Sequence, residues 1–182
     1  MNFQPQVQKT AISPRSVLLV DDNDTLLGTA EKMHAHKYGL LHRAFSVFIF
    51  NHDGKVLMQQ RGLQKYHCPG IWTNTCCSHA IQGEAIDITA HKRLVFEMGI
   101  EAKLQCVGKF KYRAQLSNTL IEHELDHVFV GHVQHVTPQP DNYEVAHYRW
   151  QSPASIRAEA LQYPEQYSPW LLPALQLALH AQ

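Results

Sequence analysis

The sequence has no excess of charge of either sign and no long apolar segment. Its 182 residues carry 16 Lys and Arg against 16 Asp and Glu, so the formal net charge is zero. Broad electrostatic binding to nucleic acid or to a membrane surface needs an excess of basic residues. This sequence has no such excess, which argues against both kinds of binding. No apolar run approaches the roughly 20 residues of a spanning helix, and residues 1–15 lack the apolar stretch of a signal peptide. We therefore expect a soluble cytoplasmic protein that binds neither nucleic acid nor membranes.

Cysteine is scarce and poorly spaced for a structural role. The four cysteines are Cys68, Cys76, Cys77 and Cys106. Two of them are adjacent and no C-x-x-C motif is present, which argues against a disulfide framework and against a zinc site built from thiolates. Histidine, in contrast, is abundant at 13 residues. Imidazole is both a common metal ligand and an acid–base group near neutral pH, so the histidines are candidates for a functional site.

The pattern of apolar residues predicts one α+β domain. Strands are predicted for residues 43–50, 55–61, 104–115 and 121–134. Helices are predicted for residues 84–98, ended by Gly99, for residues 153–161, and for a final apolar segment after Ser168-Pro169. We expect residues 1–15 to form a flexible tail and residues 62–75 a loop. Residues 16–182 should form a single compact domain, in which helices flank a mixed β-sheet.

A pair of glutamates stands out in the last predicted strand. Glu122 and Glu124 are two residues apart, so their side chains share one face while His123 points the other way. Two neighbouring carboxylates repel each other unless a cation or a shared proton lies between them. One interpretation is an exposed acidic strand face, and the other is a metal site completed by upstream histidines. The candidate ligands are His36, His42, His79, Glu122 and Glu124. Three imidazoles and two carboxylates suit a divalent ion such as Mn²⁺, Mg²⁺ or Zn²⁺.

The helix predicted over residues 84–98 carries a degenerate Nudix box, G-x5-E-x7-R-E-U-x-E-E-x-G-U, where U is apolar. The matching positions are Glu84, Leu94, Glu97, Gly99 and Ile100, whereas Ser78, Lys92, Arg93 and Phe96 replace the first Gly, the Arg and two of the Glu residues. In a Nudix hydrolase these carboxylates hold the Mg²⁺ ions that activate water and neutralise the diphosphate. The loss of two of them indicates the same scaffold with altered chemistry. Alternatively, Arg93 and Glu97 form a simple ion pair on the helix surface, since they are four residues apart.

Further motifs, in order along the chain, resemble those of the type I isopentenyl-diphosphate Δ-isomerases. They are GLLHRAFSVFIF (39–50), TNTCCSHA (73–80), FKYRA (110–114), EHELDHVF (122–129) and YSPW (167–170). The resemblance implies a Nudix-like fold for residues 16–182. It also implies an enzyme of isoprenoid biosynthesis that interconverts isopentenyl and dimethylallyl diphosphate by protonating and deprotonating the alkene. One departure is Ala80, because the family usually has Pro after the Cys-x-His, and it concerns backbone rigidity rather than a reacting side chain.

The resemblance also implies a role for each site residue. Cys77 and Glu124 would be the catalytic acid–base pair, with Tyr112 hydrogen-bonded to the carboxylate. The divalent metal would be held by His36, His42, His79, Glu122 and Glu124. Glu97 and the backbone carbonyl of Cys77 would hold a Mg²⁺ that also binds the diphosphate. The substrate would be bound by Lys32, Arg61, Lys65, Ser78 and Arg93 at the diphosphate and by Trp170 at the hydrocarbon end. The enzyme would act on this small isoprenoid diphosphate as a monomer or homodimer.

Two other functions remain compatible with the sequence. The first is a Nudix hydrolase of a nucleoside or isoprenoid diphosphate. Arg93 and Phe96 count against it because they stand at carboxylate positions of the box, and such a hydrolase has no need of Cys77 with the glutamate pair. The second is a non-catalytic metal-binding or ligand-binding module on this scaffold, which would bind metal without turnover.

Overall fold

The apolar runs of the sequence fold into one mixed β-sheet with helices on both faces. The computed structural model describes residues 15–65 and 67–180. The strands are β1 Ser16–Val20, β2 Leu26–Glu31, β3 His42–Phe50, β4 Val56–Arg61, β5 Trp72–Thr73, β6 Cys76–His79, β7 Gln105–Gln115, β8 Ile121–His132 and β9 Val145–Gln151. The helices are α1 Lys32–Tyr38, α2 Ile86–Met98, α3 Pro153–Gln162 and α4 Leu171–His180. The predicted α+β architecture is confirmed, and the predicted tail lies outside the described residues except for Arg15.

Strand β3 is the axis of the sheet. It runs parallel to β8, where His42 lies opposite Glu124, and antiparallel to β6, where Ser46 lies opposite Cys77. Strand β7 extends the sheet beyond β8, the β1–β2 hairpin joins the start of β3, and β4 carries β5 and β9. The topology therefore brings three distant parts of the chain together along β3.

The side chains of β3 point alternately to the two faces of the sheet, and an apolar core lies on each face. On one face Phe45 and Val47 pack beneath α2, together with Leu94. On the other face Phe48 and Phe50 pack beneath α3 and α4. Successive side chains of a strand point to opposite faces, so one buried strand serves both cores.

The face beneath α4 changes character along its length. At its apolar end it carries Phe48 of β3 and Val128 of β8. Toward the start of β3 the same face carries His42 and Ser46, and β8 contributes Glu124, all of them buried. Burying polar side chains costs free energy unless they find partners, so this end of the face is a candidate functional site.

Some element bounds differ from the prediction for local reasons. Helix α2 begins at Ile86 rather than at residue 84, because Ala85 has extended backbone angles and acts as the N-cap. Gly99 ends the helix as predicted, in the left-handed conformation with φ 65°. The predicted loop 62–75 is wrong in part, since Trp72–Thr73 pairs with β4. No helix in the described part of the chain is long and apolar enough to cross a membrane.

Candidate active site and metal centre

Helix α1 brings His36 next to His42 at the start of β3. The helix begins after Glu31, whose carboxylate accepts hydrogen bonds from two backbone N–H groups of the first turn. It ends at Gly39, which has φ 62°. A left-handed residue lets the chain reverse directly into β3. The rings of His36 and His42 consequently lie with their centroids 5.0 Å apart.

Backbone carbonyls fix the orientation of these two rings. Nδ1 of His36 lies 2.6 Å from the carbonyl oxygen of Lys32, and Nδ1 of His42 lies 2.8 Å from that of Leu40. An Nδ1–H that donates to a carbonyl leaves Nε2 with the lone pair, which is the usual arrangement of a metal-binding histidine. Both Nε2 atoms point toward β8, where they meet the glutamates.

The five predicted metal ligands converge. Glu122 and Glu124 share one face of β8, while His123 lies on the other face with Nδ1 2.8 Å from the carbonyl oxygen of Gly39. The ligand atoms of the set all lie within 4.8 Å of one another, and all five side chains are buried: His36, His42, His79, Glu122 and Glu124. The alternative of an exposed acidic face is therefore wrong.

The contacts inside this cluster fit a shared cation. Nε2 of His79 lies 3.0 Å from Oε1 of Glu124, and Nε2 of His42 lies 3.5 Å from the same oxygen. Neither nitrogen forms a well-directed hydrogen bond with a described residue, and the same holds for Oε2 of Glu122. Buried polar atoms without partners are costly, so crowded N and O donors of this kind suit a divalent ion that binds both types.

Two members of the cluster, Glu124 and His79, have charge states that suit metal ligation. Burial raises the pKa of Glu124, but the imidazoles of His42 and His79 outweigh burial and lower that pKa well below its ordinary value. Burial, reinforced by the charge of Glu124, raises the pKa of Glu122. Burial, reinforced by the charge of Lys32, lowers the pKa of His79 to about 3. The His79 imidazole is therefore neutral at physiological pH and has a lone pair available.

His67 belongs to the same pocket, although sequence reasoning missed it. Its Nε2 lies 3.3 Å from Oε1 of Glu122 and 3.2 Å from Nη2 of Arg61. Burial, reinforced by the charge of Arg61, keeps the pKa of His67 far below its ordinary value. The residue lies in a predicted loop and in a chain rich in histidine, so neither periodicity nor a motif singled it out.

Strand β6 turns the two adjacent cysteines to opposite faces. Cys76 is fully buried in the core beneath α2. Cys77 lines the pocket, where Nη1 of Arg61 lies 3.7 Å from its Sγ. Burial raises the pKa of Cys77 to about 12, although the charge of Arg61 opposes this. Cys77 therefore carries its proton at neutral pH.

Ala80 directly follows β6 and forms a backbone hydrogen bond that the usual proline could not form. Its backbone N–H donates to the carbonyl oxygen of Arg43 at 3.2 Å. Proline has no N–H, so the lost ring rigidity is offset by a hydrogen bond to β3.

Tyr112 and Trp170 lie beside the acidic side of the pocket. Tyr112 stands opposite Glu124 across the β7–β8 pair and donates its O–H to Oε2 of Glu124 at 2.5 Å. Burial, reinforced by the charge of Glu124, raises the pKa of Tyr112 well above its ordinary value, so the phenol stays protonated. The ring of Trp170 is 6.1 Å from that of Tyr112 and 5.9 Å from the guanidinium carbon of Arg61.

The residues expected at the diphosphate line this pocket as well. They are Lys32, Arg61, Lys65, Ser78 and Arg93. Lys65 and Arg93 both contact Oε2 of Glu144, with Nη2 of Arg93 at 3.1 Å. Sequence reasoning missed Glu144 because it precedes β9, a strand that was not predicted.

The ion pair between Arg93 and Glu97 is not a surface pair. The two side chains are only 3% and 5% exposed, so that interpretation is wrong. Oε1 of Glu97 accepts from Arg93, and Oε2 accepts from Nε2 of Gln59 at 2.9 Å. Of the two, Arg93 is among the described residues that line the pocket, whereas Glu97 is not and lies behind it in contact with Arg93.

The fold and the position of the box on α2 define the class of protein. A family model described as the NUDIX domain matches residues 40–171. The crystal structure of DR0079 from Deinococcus radiodurans is similar with a TM-score of 0.74, at 16% identity, covering 90% of this chain and 98% of that one. The crystal structure of the MutT protein from Methanosarcina mazei has a TM-score of 0.64 and 17% identity, covering 78% of this chain and 94% of that one. The chain belongs to the Nudix superfamily.

Curated relatives narrow the class to one family. The isopentenyl-diphosphate Δ-isomerases of Pectobacterium atrosepticum and Aromatoleum aromaticum are each 47% identical over 85% of this chain, covering 86% and 87% of their own lengths. The isopentenyl-diphosphate Δ-isomerase 2 of Photorhabdus laumondii is 44% identical over 85% of this chain and 86% of its own. The chain belongs to the isopentenyl-diphosphate Δ-isomerase family, as its motifs predicted.

Proposed function

We propose that the chain interconverts isopentenyl diphosphate and dimethylallyl diphosphate, with Cys77 and Glu124 as the acid–base pair. One observation carries the proposal: a single pocket brings together a protonated thiol, a carboxylate and several cationic side chains. Membership of the isomerase family supports the same reaction. The pocket residues were expected in these roles from the sequence motifs.

The reaction needs an acid and a base at opposite ends of a three-carbon unit. The π electrons of the alkene form a new C–H bond with the proton of the acid, and a tertiary carbocation-like centre results. The base then removes a proton from a neighbouring carbon, and that C–H electron pair becomes the new double bond. No electrons are gained or lost, and one proton enters as another leaves. Positioned acid–base groups of this kind typically contribute ~10²–10⁴ in rate.

Cys77 and Glu124 suit these two steps. At neutral pH Cys77 holds its proton, because burial raises its pKa to about 12, whereas Glu124 is held as a carboxylate. The two residues enter the pocket from β6 and β8, on either side of β3. Because the reaction is reversible, the residue that donates in one direction accepts in the other.

The residues around the pair protect the cationic species. The indole face of Trp170 would stabilise positive charge through its quadrupole. Tyr112 donates to Glu124 and so holds one carboxylate oxygen in place. Trp170 is only 3% exposed, and its bulk keeps water from capturing the cation as an alcohol.

The metal centre would act through Glu124. A divalent ion, Mn²⁺, Mg²⁺ or Zn²⁺, held by three histidines and two glutamates would make the carboxyl proton of Glu124 more acidic. His36 and His42 keep their Nε2 atoms aimed at the glutamates through their Nδ1 contacts with carbonyls. Glu122 adds a second carboxylate on the same face of β8.

The diphosphate would lie against the cations of the pocket. Arg61 and Arg93 give directional hydrogen bonds, whereas Lys32 and Lys65 act as point charges, with Ser78 nearby. Glu97 and the carbonyl of Cys77 would hold the Mg²⁺ that accompanies the diphosphate. Hydrolysis is less favoured, because two carboxylates of the Nudix box are replaced and Arg93 pairs with the one at residue 97.

Incubation with isopentenyl diphosphate in D₂O, followed by NMR, tests the proposal. Deuterium should appear in a methyl group of dimethylallyl diphosphate, because the alkene takes its proton from exchangeable groups. Release of phosphate would indicate a hydrolase instead. Bound metal without either product would indicate a binding module.

Residues 16–182 constitute the catalytic domain in this proposal, working as a monomer or homodimer on a small diphosphate. A cytoplasmic location suits the chemistry, because Cys77 must remain a free thiol beside Cys76 and reducing compartments maintain thiols.

A further inference from the structure

Asn74 is a fully buried amide that uses all of its hydrogen-bonding capacity. It lies between β5 and β6 and is 0% exposed. Its Oδ1 accepts from Nε1 of Trp170 at 3.2 Å and from Oγ1 of Thr73 at 2.8 Å. Its Nδ2 donates to the carbonyl oxygens of Cys76 at 2.7 Å and of Val47 at 3.2 Å. An asparagine has two acceptor lone pairs and two N–H donors, so this amide is fixed in one orientation.

Two hydrogen-bond partners of Asn74 belong to, or adjoin, residues that line the pocket: Trp170 lines it directly, and Cys76 precedes Cys77. The carbonyl of Cys76 belongs to the planar peptide group that leads into Cys77, so holding it fixes the direction of the Cys77 backbone. The bond to Nε1 holds the edge of the Trp170 indole, whose ring neighbours Tyr112 and Arg61. Asn74 itself is not among the described residues that line the pocket.

We propose that Asn74 is a positioning residue for the isomerisation. It holds the indole of Trp170 and the peptide before Cys77 in one arrangement, so that thiol and aromatic wall keep a fixed distance around the five-carbon group. This inference rests on the proposed function. A misplacement of about 1 Å in such a site costs about 10²-fold in rate.

A hydrogen bond between Thr73 and Ser168 belongs to the same network and allows a matched control variant, Ser168→Ala. Oγ1 of Thr73 also bonds Oγ of Ser168 at 2.8 Å, and the backbone N–H of Ser168 donates to the carbonyl of Trp72 at 2.9 Å. Ser168→Ala removes a bond of the same network without touching the indole N–H or the Cys76 carbonyl. It should change kcat by less than about threefold, since neither contact of Asn74 with the pocket walls is lost.

The kinetic test is a double-mutant cycle of Asn74→Ala and Trp170→Phe. We expect Asn74→Ala to lower kcat by ~10- to 100-fold while KM for isopentenyl diphosphate changes little, because all four hydrogen bonds of the Asn74 amide go to groups other than the cations expected at the diphosphate. Since Asn74 acts partly through Trp170, the kcat loss of the double variant should be smaller than the product of the two single losses. A kcat per folded molecule equal to wild type, or strictly multiplicative losses, would overturn the proposal.

A spectroscopic test does not depend on activity. In ¹⁵N-labelled protein, the indole N–H signal that disappears in Trp170→Phe identifies Trp170. Asn74→Ala should shift this signal and speed its exchange with solvent, whereas Ser168→Ala should leave it in place. An unchanged signal in Asn74→Ala would refute the positioning role, whatever the enzyme's activity. A wild-type protein with the protected signal but no isomerisation would refute the proposed function alone.

If Asn74→Ala does not fold, Thr73→Val tests the positioning role of Asn74 instead. It keeps the side-chain volume and removes the hydrogen bond to Oδ1 of Asn74; the bond to Ser168 that it also removes is accounted for by Ser168→Ala. We expect Thr73→Val to lower kcat and to shift the indole N–H signal of Trp170 in the same direction as Asn74→Ala, but by less. Wild-type values for both would count against the proposal.

Discussion

Replacing each of the adjacent cysteines by alanine should separate catalysis from stability. Cys77→Ala removes the thiol from the pocket but takes no group out of the core beneath α2, so kcat should fall by ~10²–10⁴ with little change in unfolding temperature. Cys76→Ala removes a sulfur atom from a fully buried position. Losing a buried group of methylene size costs about 0.8 kcal/mol, and the residual cavity raises this to about 1–2 kcal/mol. The melting temperature should drop by about 2–8 °C, with kcat near wild type.

Both variants can be assayed by NMR conversion of isopentenyl diphosphate and by thermal unfolding, with metal content as a control on the site. Because the two side chains lie on opposite faces of β6, the double variant should combine the losses without coupling. Equal loss of activity in both single variants, measured per folded and metal-loaded molecule, would contradict the assignment of Cys77. So would selective labelling of Cys106, instead of Cys77, by a thiol-directed substrate analogue.

Three further outcomes are expected. His42→Ala should lower bound divalent metal as measured by mass spectrometry, whereas His123→Ala should not, because its ring lies on the opposite face of β8; full occupancy in both would defeat the site. Tyr112→Phe should reduce kcat by about tenfold, the scale of one lost hydrogen bond to a charged group of about 1.5 kcal/mol, and an unchanged kcat would remove Tyr112 from the mechanism. Glu97→Gln should raise the Mg²⁺ concentration needed for half-maximal rate without altering metal in the histidine site, and the reverse pattern would exclude Glu97 from the diphosphate side.

Much of the site could be predicted from the sequence because its residues are organised by strand periodicity. Glu122 and Glu124 share a face of β8 because they are two residues apart, and Cys77 and His79 do so on β6 for the same reason. The convergence of these strands on β3 could not be derived from spacing. It depends on the parallel β3–β8 pair, which places residues about 80 positions apart side by side.

The residues that were missed act through long-range contacts. Glu144 reaches Lys65 across 79 positions and Trp170 reaches Asn74 across 96, and no local pattern records such a pairing. Helix α1 has seven residues, which is too few for a periodic signal. The start of α2 was predicted two residues early, because apolar spacing does not show where the first turn begins; Glu84 lies before the N-cap Ala85 and accepts a hydrogen bond from Oγ1 of Thr89.

The altered Nudix box explains how one scaffold can serve proton transfer in place of hydrolysis. Arg93 occupies a carboxylate position of the box, and its guanidinium group contacts both Glu97 and Glu144. Phe96 occupies another, with its ring 5.1 Å from that guanidinium. A fixed cation and an aromatic ring thus stand where hydrolases gather acidic metal ligands to activate water. The clustered metal donors lie instead on α1, β3, β6 and β8, around Glu124. In the proposed mechanism, the helix that would bind the diphosphate and the sheet that would move the protons are separate parts, so the carbocation would form beside the strands rather than at the box positions where a hydrolase activates water.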